Sequence, residues 1–251
     1  MSTLRIAFAC LFAISSVEAT ALLVNPRATC SAADQATVKA CLSPYYSFYG
    51  IDTNNMPPFQ TYFKVIDKFF NDGATGLDKI CSYINALTNC LGNLSSGICV
   101  HPASFADILH VDMNLAYEYA SDIAMRKYEC ANVQSVKDNM QCMRNITHNH
   151  QNEVKKCADQ LACDINNGKE KCKAIDDNVS CMSGYYASVC GEGVRSFICG
   201  VTEATAEFDV DEACLSKLQT CDATTSSIFT IVTLLLSFFL STNCQRIHVK
   251  N

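Results

Sequence analysis

The sequence predicts an all-α, disulfide-rich helical ectodomain, followed by a C-terminal hydrophobic helix. Three observations predict it. Cysteines are dense, apolar residues recur at helical intervals along most of the chain, and no alternating apolar–polar run reads as a strand.

The elements follow in order. Residues 1–21 read as a secretory signal peptide. Arg5 supplies its positive end, Ile6 to Val17 its apolar core, and Val17-Glu18-Ala19 or Ala19-Thr20-Ala21 its small-residue cleavage site. Cys10 would leave with it, and residues 22–222 would fold where thiols pair. Tyr45-Tyr46 with Phe48-Tyr49, and the stripe Phe59, Tyr62, Phe63, Ile66 and Phe70, are read as core, with a ligand groove as the alternative. Asn54-Asn55-Met56-Pro57-Pro58 between them reads as a loop.

Leu77, Ile80, Ile84, Leu87 and Leu91 form a second helical stripe, closed by Gly92. Phe105, Ile108, Leu115, Tyr119 and Ile123 predict one long helix starting at Pro102. Val133, Val136, Met140 and Met143, then Val189, Val194, Phe197 and Val201, continue the pattern.

Fifteen cysteines fall within residues 22–222: Cys30, Cys41, Cys81, Cys90, Cys99, Cys130, Cys142, Cys157, Cys163, Cys172, Cys181, Cys190, Cys199, Cys214 and Cys221. The count predicts seven bridges and one odd thiol, free or used for a disulfide-linked dimer. The spacing suggests two related helical units, 30–130 and 130–221. Cys81, Cys90, Cys99 and Cys130 recur 91 residues later as Cys172, Cys181, Cys190 and Cys221, while Cys30 and Cys41 match Cys130 and Cys142 at shifts of 100 and 101.

On a helix, cysteines nine apart face opposite sides about 13.5 Å apart. A disulfide needs Cα atoms within about 7 Å. Cys81 and Cys90 must therefore reach different neighbours, as must Cys172 and Cys181, so each such helix would be riveted on two sides. Metal and redox roles are disfavoured, because the close Cys-x2-4-Cys pairs of zinc sites and the Cys-x-x-Cys of redox enzymes are both missing.

Little else carries chemistry. Arg5, Glu18, Arg246 and Lys250 lie outside residues 22–222, which keep 16 basic and 24 acidic residues, a balance of −8 without basic clusters. Nucleic acid is not expected as a partner. His148-Asn149-His150 reads as a polar loop, and Ser96-Gly97 and Ser183-Gly184 as ordinary turns. No G-x-S-x-G, phosphate loop or H-E-x-x-H is present, so no catalytic residue, cofactor or metal is assigned. Asn93, Asn145 and Asn178 are N-glycosylation sequons.

Ile228 to Leu240 is the core of an apolar segment, 223–242, with three readings: a transmembrane span, a glycolipid-anchor signal, or neither. A short tail, 243–251, follows it, carrying Cys244, a juxtamembrane palmitoylation candidate under the first reading, and Arg246 and Lys250, which suit a type I orientation.

The stretches "CSAADQATVKACLSPYYSFYG", "LDKICSYINALTNCL" and "CKAIDDNVSCMSGYYASVCGEGV" resemble nematode secreted cysteine-rich proteins with chondroitin proteoglycan 4-like domains, or the nematode domain of unknown function numbered 19. Insect hemolymph glycoproteins are more distantly similar. The resemblance covers about residues 30 to 200, implies a secreted or cell-surface protein, and offers no catalytic residues to carry over. The chain lacks the Ser-Gly runs amid acidic residues that glycosaminoglycan attachment needs.

The expected function is an extracellular, non-catalytic binding module for an unknown protein, glycan or lipid, tethered to a membrane through its C-terminal segment. A carrier of a lipid or other apolar small molecule, and a structural matrix component, are the alternatives.

Overall fold

A computed structural model describes residues 30–210, 212–215, 217 and 218. The readings for residues 1–21, 223–242 and 243–251, and for Cys221, lie outside them. Within them the fold is all-α, with no strand among the described residues. No helix there is long and apolar enough to cross a membrane.

Helix α1 (Ala32–Phe48) starts where Ser31 Oγ accepts the Asp34 N–H (3.2 Å). Helices α2 (Phe59–Asn71) and α3 (Ala74–Leu91) carry the two predicted stripes, and Gly92 ends α3 in a left-handed conformation, φ 53°. The α2–α3 turn is tight. A Cβ on Gly76 would lie 1.7 Å from the Phe69 carbonyl oxygen, so only glycine fits there.

The predicted long helix from Pro102 is two helices, α4 (Pro102–Leu109) and α5 (Met113–Ala131). The break is local chemistry. His110 takes φ 55° as the α4 cap, and Asp112 Oδ1 accepts the Leu115 N–H (3.0 Å) to start α5. Three further long helices follow: α6 (Val133–Asn149), α7 (Gln151–Asn166) and α8 (Lys171–Cys190). After Gly191, φ 90°, come α9 (Arg195–Ala206) and the short α10 (Glu212–Leu215).

Two sequence readings change here. His148 and Asn149 belong to the last turn of α6 rather than to a loop, because Val136 and Ile146 anchor that helix to its end. Ser183-Gly184 is mid-helix in α8 with Ser183 buried, since burial of Val179, Met182 and Tyr186 overrides the turn preference of the pair.

The cysteines follow the rivet geometry. On α3, Cys81 bridges to Cys130 of α5 and Cys90 to Cys41 of α1. On α8, Cys172 bridges to Cys214 of α10, Cys181 to Cys157 of α7, and Cys190 to Cys142 of α6. Cys30 reaches Cys99 in the turn after α3, and Cys199 is disulfide-bonded too. Cys163 is the free cysteine among the described residues, and it is exposed.

Helix α5 is the pillar. It packs on α2, α3, α4, α6 and α9, and two cores meet along it. One, rich in aromatic rings, fills the space among α1 to α5; the other, built on Met125, Val136, Ile146, Val154, Met182 and Phe197, lies towards α6 to α9.

Candidate functional site

Among the described residues, two faces of α5 gather buried charge and open apolar surface. The first is closed. Tyr119, Asp122, Arg126 and Glu129 recur at helical spacing and are buried, with Arg126 at 0% exposure. Arg126 Nε donates to Asp122 Oδ1 (3.2 Å) and its Nη1 to Glu129 Oε2 (2.5 Å). Tyr62 Oη donates to Asp122 Oδ2 (2.7 Å) and lies 3.2 Å from Tyr45 Oη. The Phe70 ring stands 5.0 Å from the guanidinium carbon.

Burial raises the pKa values of Asp122 and Glu129, against the opposing pull of Arg126. Burial works to lower the Arg126 pKa, but Glu129 and Asp122 outweigh it, and the guanidinium stays charged. The network is closed off from solvent. It fixes how α5 meets α1 and α2, because a misplaced helix would strand buried charge. The rings Tyr45, Tyr46, Phe59 and Tyr62 pack here as core, not as a groove.

The second face is open. Ala120, Ile123, Ala124 and Lys127 form the floor of a cleft of about 320 Å³. Two alanines facing a helix that carries Leu87 and Leu91 leave the space that larger side chains would fill. The lip is the turn from Ser95 to His101, and the far wall is Glu207, Phe208 and Leu215.

Each wall is pinned. Cys81–Cys130 ties α3 to α5, Cys30–Cys99 and the bond from Ser104 Oγ to the Ile98 carbonyl (2.6 Å) hold the lip, and Cys172–Cys214 holds α10. The segment after α9 is clasped further by the Tyr117 hydroxyl, which donates to Asp209, and by Lys171, 3.7 Å from Asp209 Oδ1. Phe208 packs edge-on to His101, ring centres 5.8 Å apart.

Three polar groups sit at this cleft. Lys127 Nζ donates to the Ser95 carbonyl (2.7 Å) and forms no ion pair among the described residues. Neighbouring protein lifts the Glu207 pKa, which the Lys127 charge opposes. His101 Nδ1 accepts the Ala103 N–H (3.3 Å), which leaves Nε2 as the donor of the ring, and burial lowers its pKa.

The chain matches no family profile, no curated protein and no solved structure.

Of the sites marked in the sequence, Asn93 and Asn145 are exposed, whereas Asn178 is half-buried with its side-chain carbonyl enclosed. Asn93 lies at the end of α3, two residues before the lip. His148 Nε2 is 3.5 Å from Arg144 Nη2, and no metal-ligand cluster forms among the described residues. Sequence reading marked neither face of α5. The closed face had a usable signal, since Tyr119, Asp122, Arg126 and Glu129 share one side of the helix with opposite charges at i,i+3 and i,i+4. The open face had none, because its lip and far wall come from segments far apart in the sequence, Ser95 to His101 and Glu207 to Leu215.

Proposed function

We propose that this protein is an extracellular, disulfide-stabilised binding module that acts without catalysis, with the cleft beside α5 as its ligand site. The observation that carries this reading is an apolar floor left open by Ala120 and Ala124 inside walls pinned by three bridges. A pocket rigid before binding loses little freedom when it is filled. At about 320 Å³ it lies at the small end of ligand pockets, roughly 300 to 1,000 Å³. His101 spends Nδ1 on a backbone N–H, which favours a positioned wall residue over a catalytic base.

A protein partner is a second reading. It rests on the exposed Tyr83 ring stacked on Phe48, centres 3.5 Å apart. The exposed Cys163 thiol is the group that a disulfide-linked dimer would use.

Native mass spectrometry of the full chain, expressed oxidised in a eukaryotic secretory host, tests these readings together. The cleft reading expects an adduct of small-molecule mass that leaves on denaturation. An Ala124→Phe chain that keeps its adduct would overturn it, because that ring would occupy the cleft. A dimer that separates only on reduction, and that Cys163→Ser abolishes, would place Cys163 at an interface.

A further inference from the structure

We infer that the cleft selects a single-chain amphiphile with an anionic head, its tail on the α3–α5 floor and its head at Lys127; this rests on the cleft reading above. The tail site is the apolar lining: Leu87, Leu91, Ile98, Ile123, Phe208 and Leu215. These residues offer a tail no hydrogen-bonding demand, so affinity grows with the apolar area covered.

The head assignment comes from the unused capacity of Lys127. An ammonium has three donors. One is spent on the Ser95 carbonyl at 2.7 Å, and no carboxylate lies within ion-pair distance among the described residues. That single bond also fixes the ammonium at the rim, where a long side chain would otherwise sweep freely. A half-buried cation with donors to spare complements an anion that enters beside it. Glu207 is the charge that could oppose this. Its side chain is exposed, so solvent screens that opposition. His101 spends Nδ1 on the Ala103 N–H and keeps Nε2 as a further donor at the same rim.

The polarity of the site is therefore ordered: apolar at depth, donor-rich at the lip. A neutral alcohol would use the depth alone. A cationic amphiphile would use the depth and meet Lys127.

Isothermal titration on the oxidised full chain, free of detergent, with decanoate, decanol and decylammonium, tests this. Decanoate should bind with one site per chain, about tenfold tighter than decanol, as a charge-assisted hydrogen bond implies. Decylammonium should be the weakest. Shortening decanoate to octanoate should weaken binding roughly fourfold for each methylene removed. Lys127→Met keeps the aliphatic stem and should bring decanoate down to the decanol affinity while leaving decanol unchanged. Ala124→Phe, at a half-buried position, should abolish all three, with an unchanged circular dichroism spectrum showing that the fold persists.

Equal affinity for decanoate and decanol would overturn the head assignment and leave the cleft reading standing. A preference for decylammonium would overturn it also, and would make Glu207 the contact. No binding of any probe, together with no adduct in native mass spectrometry, would overturn both.

Discussion

Helices α1 and α6 have the same length, 17 residues, and each is bridged to the last turn of the long helix two places on, by Cys41–Cys90 and Cys142–Cys190. Their insides differ. Helix α1 buries Val38, Cys41, Leu42, Tyr45 and Tyr46, whereas α6 buries only Val136 and Ile146. Charge follows the same division. In the first five helices the ion pairs of Arg126 are buried among aromatic rings; around α7 and α8 the pairs of Lys169 and Lys173 with Asp164, Asp176 and Asp177 lie on the surface. Helix α1 is held by packing with a bridge added, whereas α6 depends more on its bridge.

The largest effect that this contrast predicts comes from charge. Arg126→Met should destabilise the protein by about 3–5 kcal/mol at neutral pH, since Asp122 and Glu129 would remain buried without their counter-charge. The loss should shrink as pH falls, because both carboxylates can then protonate. Lys173→Met removes two exposed pairs and should change stability by less than about 0.5 kcal/mol. Urea unfolding at pH 7 and pH 4 checks both. A Lys173 variant as damaging as the Arg126 variant would break the contrast.

The bridges come next. Cys41–Cys90 and Cys142–Cys190 close loops of nearly equal length, with sequence separations of 49 and 48, so loop-closure entropy predicts the same loss for either, roughly 2–4 kcal/mol. What should differ is where the loss appears. The double variant Cys142→Ser/Cys190→Ser should open α6 and α7 locally, with fast amide exchange there, while α3 and α5 stay protected. In Cys41→Ser/Cys90→Ser, packing should keep α1 protected until the whole domain opens. Hydrogen exchange read by mass spectrometry separates these patterns, and early exchange of α1 would show that its aromatic core is no stronger than the thin core under α6.

Much of this was legible in the sequence, and what was not has a physical reason. The stripes of α2 and α3 announced themselves because each helix buries one continuous face. Helix α5 was harder, because its polar residues point inward and its mixed pattern resembles a solvated helix. The break at His110 depends on one αL residue and one Asp cap, which apolar spacing cannot report. The cysteine ruler gave the riveting but not the partners. Cys41–Cys90 and Cys142–Cys190 line up at offsets of 101 and 100, whereas the 91-residue spacing pairs Cys90 with Cys181, which bridges to α7 instead. The cleft needed side chains from α3, α5 and the segment after α9 at one place, and only the folded chain supplies that.

A smaller effect than that of the bridges is the sharpest test of how dry the first region is. Glu118, half-buried on α5, has its pKa pushed up to about 7 by burial, with the Asp112 charge adding to the rise. An acid that binds its proton more tightly when folded contributes stability that is full below its unfolded pKa, near 4.5, and lost as pH rises through 7. Glu118→Gln removes that slope. The variant should match the wild type at pH 4 and exceed it at pH 8 by about 1 kcal/mol, a figure reduced from full burial because water reaches part of the side chain. Asp177, at the surface of α8, titrates with the opposite sign. Hydrogen bonds from Lys169 and Lys173 hold its pKa low, so its small contribution is present above the ordinary carboxylate range and is lost as pH falls. Stability profiles of Glu118→Gln and Asp177→Asn should therefore both meet the wild type at low pH and part from it at high pH in opposite directions, Glu118→Gln above it and Asp177→Asn below it. If Glu118→Gln instead ran parallel to the wild type throughout, water would reach Glu118 as freely as it reaches Asp177, and the two regions would be equally wet.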